Sequence, residues 1–349
     1  MKKIIGIVLV LAMALGMVAC SSPAPAATPA PAATEAPAAT EAPAATEAPA
    51  ATEQLKIALL LPGAANDGGW SAMAYNALMA AKDKFGADVA YTENVTQNDQ
   101  VRIARQYADQ GYKIIIGHGF EFGDALTEVS AEYPDQYFIN YGGAVQNGKN
   151  LGSVQYAYGE TGALAGVLVG MSKDITNVGV VMAMENPTGM QEMKNIEVTA
   201  QKYNPNVKFT YSYTGDWNDI AKAKEAATAL LANGAQLIIS DLSAPWDGMV
   251  QACQEYKAKF YTVTMDGYDK DPTLILGSNV HDATKAMLAA IQLVVDGKFQ
   301  GQIFAFGIKD GVMFLGKFGP SVTDEMKAEV AKVQQEILDG KYDIVKILG

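Results

Sequence analysis

The chain has 349 residues, of which 49% are hydrophobic and 18% are charged, and its formal net charge is -12. Such a chain can bury an ample core and has room for about two domains of ordinary size. Its acidity excludes a nucleic acid as the expected partner, because phosphate binding requires a positive surface field. The two cysteines, Cys20 and Cys253, lie far apart and imply no disulfide framework.

Residues 1–19 have the pattern of a secretory signal peptide. Two lysines precede an apolar run from Ile4 to Ala19, which is short for a membrane span. The run ends in Met-Val-Ala-Cys-Ser-Ser, which resembles the lipobox of bacterial lipoproteins. Cys20 is therefore expected to carry lipid and to anchor the protein on the extracytoplasmic face of the cell membrane. An ordinary secretory signal with a chance cysteine is the alternative.

The lipidated Cys20 and the residues after it, 20–53 in all, are predicted to form a tether. They consist almost entirely of Ala, Pro, Thr, Glu and Ser, and the hexad Ala-Pro-Ala-Ala-Thr-Glu recurs from Ala36. No core can form without large apolar side chains, and repeated proline favours extended backbone at about 3.1 Å per residue. The folded region is expected to begin near Gln54.

Strand-like and helix-like segments then alternate in the manner of parallel sheets. The predicted strands are Lys56–Leu61, Asp88–Thr92, Lys113–Gly117, Tyr137–Tyr141, Asn150–Gln155, Asn177–Ala183, Lys208–Tyr213, Leu237–Ser240, Phe260–Met265, Leu274–Asn279 and Gly301–Ile308. The predicted helices are Ser71–Phe85, Asn98–Gln110, Phe122–Tyr133, Glu160–Ser172, Pro187–Tyr203, Asp219–Asn233, Asp247–Ala258, Ala283–Asp296 and Thr323–Leu338.

More than ten strands exceed one comfortable open sheet, so the pattern predicts two α/β lobes that divide near Tyr156–Tyr158. We expect residues 54–157, with about 280–300, to form lobe 1. Residues 158–279, with about 301–349, are expected to form lobe 2. A ligand would lie between the lobes.

Aromatic residues gather where predicted strands end. Trp70, Trp217 and Trp246 all follow strands, and Phe120 occupies the equivalent turn after the third strand. Open α/β sheets place their ligand groups at these carboxyl ends, whereas a core tryptophan more often lies on an apolar periodic face. We therefore predict that these rings line a cleft and sandwich a flat ligand, with a core position as the alternative for any single ring.

Polar side chains occur at the same ends. Asn66 and Asp67 follow the first strand, Asp124 the third and Asp266 the ninth, and all four are predicted to contact the ligand. Helix N-capping is the alternative for such residues, notably for Asp67. Asp241, after the eighth strand, is less favoured as a ligand group.

No catalytic constellation is visible. Residues 117–123 follow a strand and open a helix, but their G-x-G-x-x-x-G spacing differs from that of a dinucleotide fingerprint. The two histidines have no metal-ligand spacing with a cysteine or with each other, so no metal site is expected. We expect no cofactor and no enzymatic activity.

Several segments resemble the basic membrane protein family of bacterial substrate-binding lipoproteins, which includes purine nucleoside receptors. They are Gly117–Phe120, Asp124–Leu126, Tyr133–Asp135, Glu160–Gly166, Asp296–Gly301 and Gly307–Gly311, within a similarity that runs from Leu55 to Tyr342. The resemblance implies a periplasmic-binding-protein type I fold, with two doubly wound parallel-sheet lobes joined by hinge strands. It also implies delivery of a purine nucleoside or related solute to the permease of an ABC importer.

The resemblance also implies roles for individual residues. Asp67 matches the family's first-loop aspartate, Trp70 replaces a stacking phenylalanine, and Trp217 matches another stacking aromatic. Asp266 matches the aspartate that helps to hold the ribose in nucleoside-binding members. His281 stands where the family has a lysine, so a group that titrates near neutral pH replaces a fixed charge.

Trp246 lies where the family has a glycine-rich turn. A ring there would narrow the ribose end of the cleft and shift the preference toward a free purine base or another compact heterocycle. A receptor for a sugar or small signalling molecule, a sensory lipoprotein and an enzyme that acts on nucleosides are the alternative functions.

Overall fold

The computed structural model describes residues 54–242 and 246–346. The predicted signal peptide, Cys20 and the tether lie outside the described residues. Within the described ranges, no helix has the length and apolar character needed to cross a membrane.

The described part of the chain alternates strands and helices from its first element to its last. The strands are β1 (Lys56–Leu60), β2 (Asp88–Thr92), β3 (Ile114–His118), β4 (Tyr137–Tyr141), β5 (Leu151–Tyr156), β6 (Asn177–Met182), β7 (Lys208–Tyr213), β8 (Leu237–Asp241), β9 (Lys259–Thr264), β10 (Ile275–His281), β11 (Ile303–Phe306) and β12 (Met313–Leu315). The α-helices are α1 (Trp70–Phe85), α2 (Gln100–Asp109), α3 (Gly123–Glu132), α4 (Tyr158–Met171), α5 (Pro187–Tyr203), α6 (Ile220–Ala232), α7 (Trp246–Tyr256), α8 (Ala283–Val295) and α9 (Asp324–Leu338).

The strands form two six-stranded sheets, and each is the centre of one lobe. The first sheet has the order β11-β5-β4-β3-β1-β2 and the second β12-β10-β9-β8-β6-β7. All neighbouring strands run parallel except β12, which is antiparallel to β10. The predicted class of two doubly wound parallel-sheet lobes is confirmed.

Each sheet is covered on both faces, as expected of parallel strands that are continuous apolar runs. In the first lobe, α1 and α8 pack on one face and α2 and α3 on the other. In the second lobe, α4, α5 and α9 cover one face and α6 and α7 the other. The side chains therefore point into a core on both sides, and the polar groups collect at the ends of the strands.

The last two strands differ from the sequence-based prediction. The segment predicted as Gly301–Ile308 forms β11, which pairs with β5 in the first sheet, although residues from about 301 onward were expected in the second lobe. β12 was not predicted, because a three-residue edge strand gives almost no periodic signal. The chain thus crosses between the sheets after β5, after β10 and after β11.

These three crossovers lie side by side and form the hinge. The amide of Ala157 donates to the carbonyl of Phe306 at 2.8 Å, and that of Asp282 donates to the carbonyl of Val312 at 2.7 Å. A carboxylate oxygen of Glu160, in the first turn of α4, accepts from the Ile308 amide at 2.7 Å. Each crossover is therefore hydrogen-bonded to another.

Glycines allow α4 and α5 to pack closely. Gly162, Gly166 and Gly170 recur every four residues along α4 and so lie on one face of the helix. A Cβ atom on Gly166 would lie 2.5 Å from the Thr199 Cβ and 2.7 Å from the Ile196 carbonyl oxygen of α5. The two helices are separated by backbone and small groups only.

We expect Gly166→Ala to lower the free energy of unfolding by about 1–3 kcal/mol, because a methyl group there forces the helices apart. Chemical denaturation measures the change. The matched control is Ala229→Leu, which adds more atoms at an exposed helical position and should change stability little. Equal stability of the Gly166 variant and the parent would contradict the close packing.

Candidate functional site: a cleft between the lobes

A cleft with a volume of about 200 Å³, partly open to solvent, is lined by residues of both lobes. Its lining comes from the turns that follow the parallel strands of each sheet. In the first lobe these are the turns after β1, β3 and β4, and in the second those after β6, β7, β8 and β9. Tyr158 and His281, at two of the crossovers, also line it. This is where α/β sheets of this kind place ligand groups.

Trp70 forms part of the first-lobe wall and is held firmly. It is the first residue of α1, and its indole stacks on the His118 ring with centroids 4.1 Å apart and planes 28° apart. Tyr141 lies tilted against the same indole at 6.1 Å. Gly142 also lies beside the indole, and its φ of 80° is a backbone conformation that favours glycine. The orientation of Trp70 is therefore fixed in advance of any ligand.

His118 supports Trp70 through the backbone as well. It is completely buried, and burial lowers the pKa of its imidazole to about 3. The neutral ring must donate through Nε2, because that nitrogen lies 2.9 Å from the Trp70 carbonyl oxygen, which can only accept. One histidine thus positions both the ring and the backbone of Trp70.

Asp67 both lines the cleft and ties together the start of α1. Its carboxylate accepts from the amides of Gly69 at 2.8 Å, Ser71 at 3.0 Å and Ala72 at 2.9 Å. These are amides that lack partners within the helix, and a negative charge is stabilised near the helix N-terminus. Asp67 therefore caps α1, which is the role that the sequence offered as the alternative to ligand contact.

The turn after β3 brings Phe120 and Glu121 to the cleft. Phe120 is 49% exposed, so its ring is not covered by the core of the first lobe. Burial raises the pKa of the Glu121 carboxyl group. Gly119 has a φ of 135°, and a side chain there would collide with Glu121, so glycine is required for this turn.

In the second lobe, the carboxyl ends of four strands and the turns after them contribute Asn186, Trp217, Asp241 and Thr264. Asn186 is the N-cap of α5, and its side-chain oxygen accepts from the Gly189 amide at 2.8 Å. Thr264 has a φ of 107°, a strained conformation for a β-branched residue. Such strain persists only where the surrounding structure enforces it, and it often occurs in binding sites.

His281 is 5% exposed and lies next to a buried carboxylate. Its Nε2 is 3.8 Å from Oε1 of Glu192, which accepts from the Asn279 side chain at 2.6 Å. Tyr156 stacks on the imidazole with centroids 4.7 Å apart. Neither ring nitrogen has a hydrogen-bond partner among the described residues.

The cleft lining therefore includes five of the predicted ligand residues, namely Asp67, Trp70, Phe120, Trp217 and His281. The other four lie elsewhere. Asn66 is exposed on the turn after β1, and Asp124 is exposed on α3. Asp266 is also exposed, and its carboxylate accepts from the amides of Tyr268 at 3.0 Å and Lys317 at 3.2 Å.

Trp246 differs most from its prediction. Its ring is 3% exposed and packs in the second-lobe core with α6 and α7, and its indole nitrogen donates to the Leu242 carbonyl at 3.3 Å. The side chain of this first residue of α7 therefore lies among the buried residues of that core. The prediction that Trp246 lines the cleft is therefore wrong, and Trp246 is a core residue.

Sequence reasoning did not select Tyr158, Glu121, Asn186 or Asp241, yet all four line the cleft. Asn186 was detectable, because an asparagine before a proline at the end of a predicted strand marks a helix N-cap. Tyr158 was not, since its place depends on where the chain crosses between the lobes.

A family model matches nearly the whole described part of the chain. The family model described as "ABC transporter substrate-binding protein PnrA-like" matches residues 54–346. A putative ABC transporter glucose-binding protein of Haloferax volcanii is 27% identical over 80% of this chain and 71% of its own. An ABC transporter nucleoside-binding protein of Lactococcus lactis is 25% identical over 75% of this chain and 79% of its own.

A purine-binding protein of Brucella abortus is 22% identical and covers 83% of each chain. Among solved structures, a solute-binding protein of an ABC transporter system from Aeropyrum pernix superposes with a TM-score of 0.76. It is 20% identical, and the match covers 84% of this chain and 94% of that one. At this identity the superposition supports the fold alone.

We expect Asp67→Ala to lower the free energy of unfolding by about 1–2 kcal/mol, because three amides at the start of α1 lose their acceptor. Thermal and urea denaturation measure the change. Asn66→Ala, at the exposed neighbouring position, is the control and should match the parent. An Asp67 variant as stable as the Asn66 variant would contradict the capping role.

Proposed function

The chain belongs to the Bmp family of ABC transporter substrate-binding proteins, and on that premise we propose that it captures a purine nucleoside or nucleobase between its lobes. The ligand would be handed to the permease of an ABC importer. The protein would be held at the outer face of the cell membrane by lipid on Cys20. Binding without chemical turnover is what this family membership implies.

The observation that carries the proposal is the set of aromatic rings contributed by both lobes to one cleft. Trp70 and Phe120 come from the first lobe and Trp217 from the second. A flat base between such rings gains about 1–3 kcal/mol per stacking contact. Because Trp70 is already fixed by His118, little ordering of this ring opposes binding.

Polar groups around the rings would read the edges of the ligand. The amide groups of Asn186 and Asn218 and the carboxyl groups of Glu121 and Asp241 line the cleft. Purine bases and ribose both carry several donors and acceptors, and a buried polar group that loses its partner is costly. The names of the Lactococcus lactis and Brucella abortus relatives favour this class of ligand.

The sequence-based reason for preferring a free base over a nucleoside does not hold. It required the Trp246 ring to narrow the ribose end of the cleft, and that ring belongs to the core. We therefore propose nucleosides and free bases together. Sugars are the second candidate, because the Haloferax volcanii relative is named as a putative glucose-binding protein and sugar sites also use stacked aromatics.

Ligand capture is expected to close the lobes about the three crossovers. A ligand that contacts both walls binds the closed form better than the open form, and this difference in affinity shifts the population. The closed form is the one that a permease would recognise.

The direct test is isothermal titration of the protein with adenosine, guanosine, adenine, guanine and glucose. We expect a purine compound to bind and glucose to give no heat. Binding of glucose alone would replace the proposal with the sugar candidate, and heat from none of the five would contradict both.

We further expect Trp70→Ala to weaken binding of the purine ligand at least about tenfold, which corresponds to the loss of one stacking contact. Tyr256→Ala removes an aromatic ring that is 45% exposed and far from the cleft lining, so it should bind like the parent. If both variants bound like the parent, the stacking site would have to be sought elsewhere.

A further inference from the structure

Asp241 is a carboxyl group at the cleft that accepts no hydrogen bond from the residues that the structure describes. It is the last residue of β8, a central strand of the second sheet, and its side chain lines the cleft. Across residues 54–242 and 246–346, no group donates a hydrogen bond to its carboxyl oxygens. A polar group left in this condition at a binding cleft is available for a ligand.

The start of α5 leaves room for this carboxyl group and fixes where it lies. A Cβ atom on Gly189 would come within 2.6 Å of the Asp241 Oδ2 atom, so the absence of a side chain at Gly189 lets the carboxyl group lie against α5. Gly189 is itself held by Asn186, whose side chain accepts from its amide at 2.8 Å. Asp241 is therefore confined between the first turn of α5 and the cleft.

The charges around Asp241 favour its neutral form. Burial, together with the carboxylate of Glu192 on α5, raises the pKa of Asp241 well above its ordinary value. Tyr158 on α4 also faces it, and His281 on β10 faces Glu192. No lysine or arginine is present in the described lining of the cleft to offset these carboxyl groups.

A second buried group points to a ligand at the same wall. His281 is 5% exposed and lines the cleft, and within the described ranges both of its ring nitrogens lack a hydrogen-bond partner. Buried polar atoms are normally hydrogen-bonded, so an imidazole and a carboxyl group that line the same cleft without hydrogen-bond partners among the described residues indicate a surface that contacts polar atoms of a ligand.

We propose that Asp241 is a specificity-determining residue whose carboxylic acid pairs with a ligand edge that offers one donor beside one acceptor. This deepens the proposed function and rests on it. A neutral carboxyl group donates through its hydroxyl and accepts through its carbonyl, whereas a carboxylate only accepts. The 6-amino edge of adenine, with an amino group beside a ring nitrogen, matches the neutral acid. The edge of guanine, with two adjacent donors, matches the carboxylate.

The affinity for each base is expected to change with pH in one direction. Adenine needs the protonated acid, so its affinity falls as the pH rises through the pKa of Asp241. Guanine gains relative to adenine over the same range. Asp241→Asn keeps one donor and one acceptor in the same place but cannot ionise, so it retains adenine binding and loses this pH dependence.

The experiment is isothermal titration with adenine and guanine from about pH 5 to about pH 8. It uses the parent and the variants Asp241→Asn, Asp241→Ala and Glu121→Gln. We expect Asp241→Ala to weaken adenine binding about tenfold or more at the lower pH, and Asp241→Asn to bind adenine equally across the range. Glu121→Gln should keep the parent's pH dependence, which assigns that dependence to Asp241.

The matched control is Asp247→Asn, which makes the same Asp-to-Asn change on the exposed first turn of α7. This variant should bind both bases as the parent does.

The outcomes separate this inference from the proposed function. Circular dichroism first shows that Asp241→Ala is folded. If the folded variant then binds adenine as tightly as the parent, the role of Asp241 is overturned while the purine proposal stands. An adenine affinity of the parent that is unchanged over the whole pH range overturns it as well. Failure of the parent to bind any purine overturns both proposals.

Discussion

Parallel strand pairing is the constraint on which the rest of this structure depends. Parallel strands must return by crossovers that cover both faces of the sheet, so the faces become core and only the strand ends are left for polar chemistry. In this chain the carboxyl ends of both sheets open onto one cleft. The aromatic and polar residues that line it come from the carboxyl ends of at least seven strands, which lie far apart in the sequence.

The same constraint explains how much the sequence could predict. The order and type of nearly all strands and helices follow from local apolar runs and helical periodicity, and the turns after strands are where the cleft residues lie. The direction in which a side chain of such a turn points does not follow from these local patterns. Trp70 and Trp246 each begin a helix after a strand, yet one ring lies against a buried histidine at the cleft and the other fills the second-lobe core. The space available on each side decides between them, and that space is made by residues far away in the chain.

Capping and ligand contact also compete for the same residues. Asp67 was expected to contact a ligand, and its carboxylate is occupied by three amides of α1. Asp266 was expected to do so too, and it accepts from the backbone of two loops. Asp241 was the least favoured of the acids, yet it is the one without a hydrogen-bond partner among the residues that the structure describes. A carboxyl group's availability depends on which amides fold against it, and the sequence alone does not give this.

The close packing of α4 on α5 gives the second lobe a mechanical property. α4 begins at Tyr158 beside the hinge, and α5 begins at the cleft wall and extends 17 residues, about 25 Å, to the far side of the lobe. Helices separated by glycines cannot slide without collision. A rotation at the crossovers would therefore move α4 and α5 together as one stiff unit, and the displacement would grow with distance from the crossovers. Under the proposed function, a solute a few ångströms across would thus displace surface about 25 Å away, and a permease that contacts this surface would distinguish a filled cleft from an empty one.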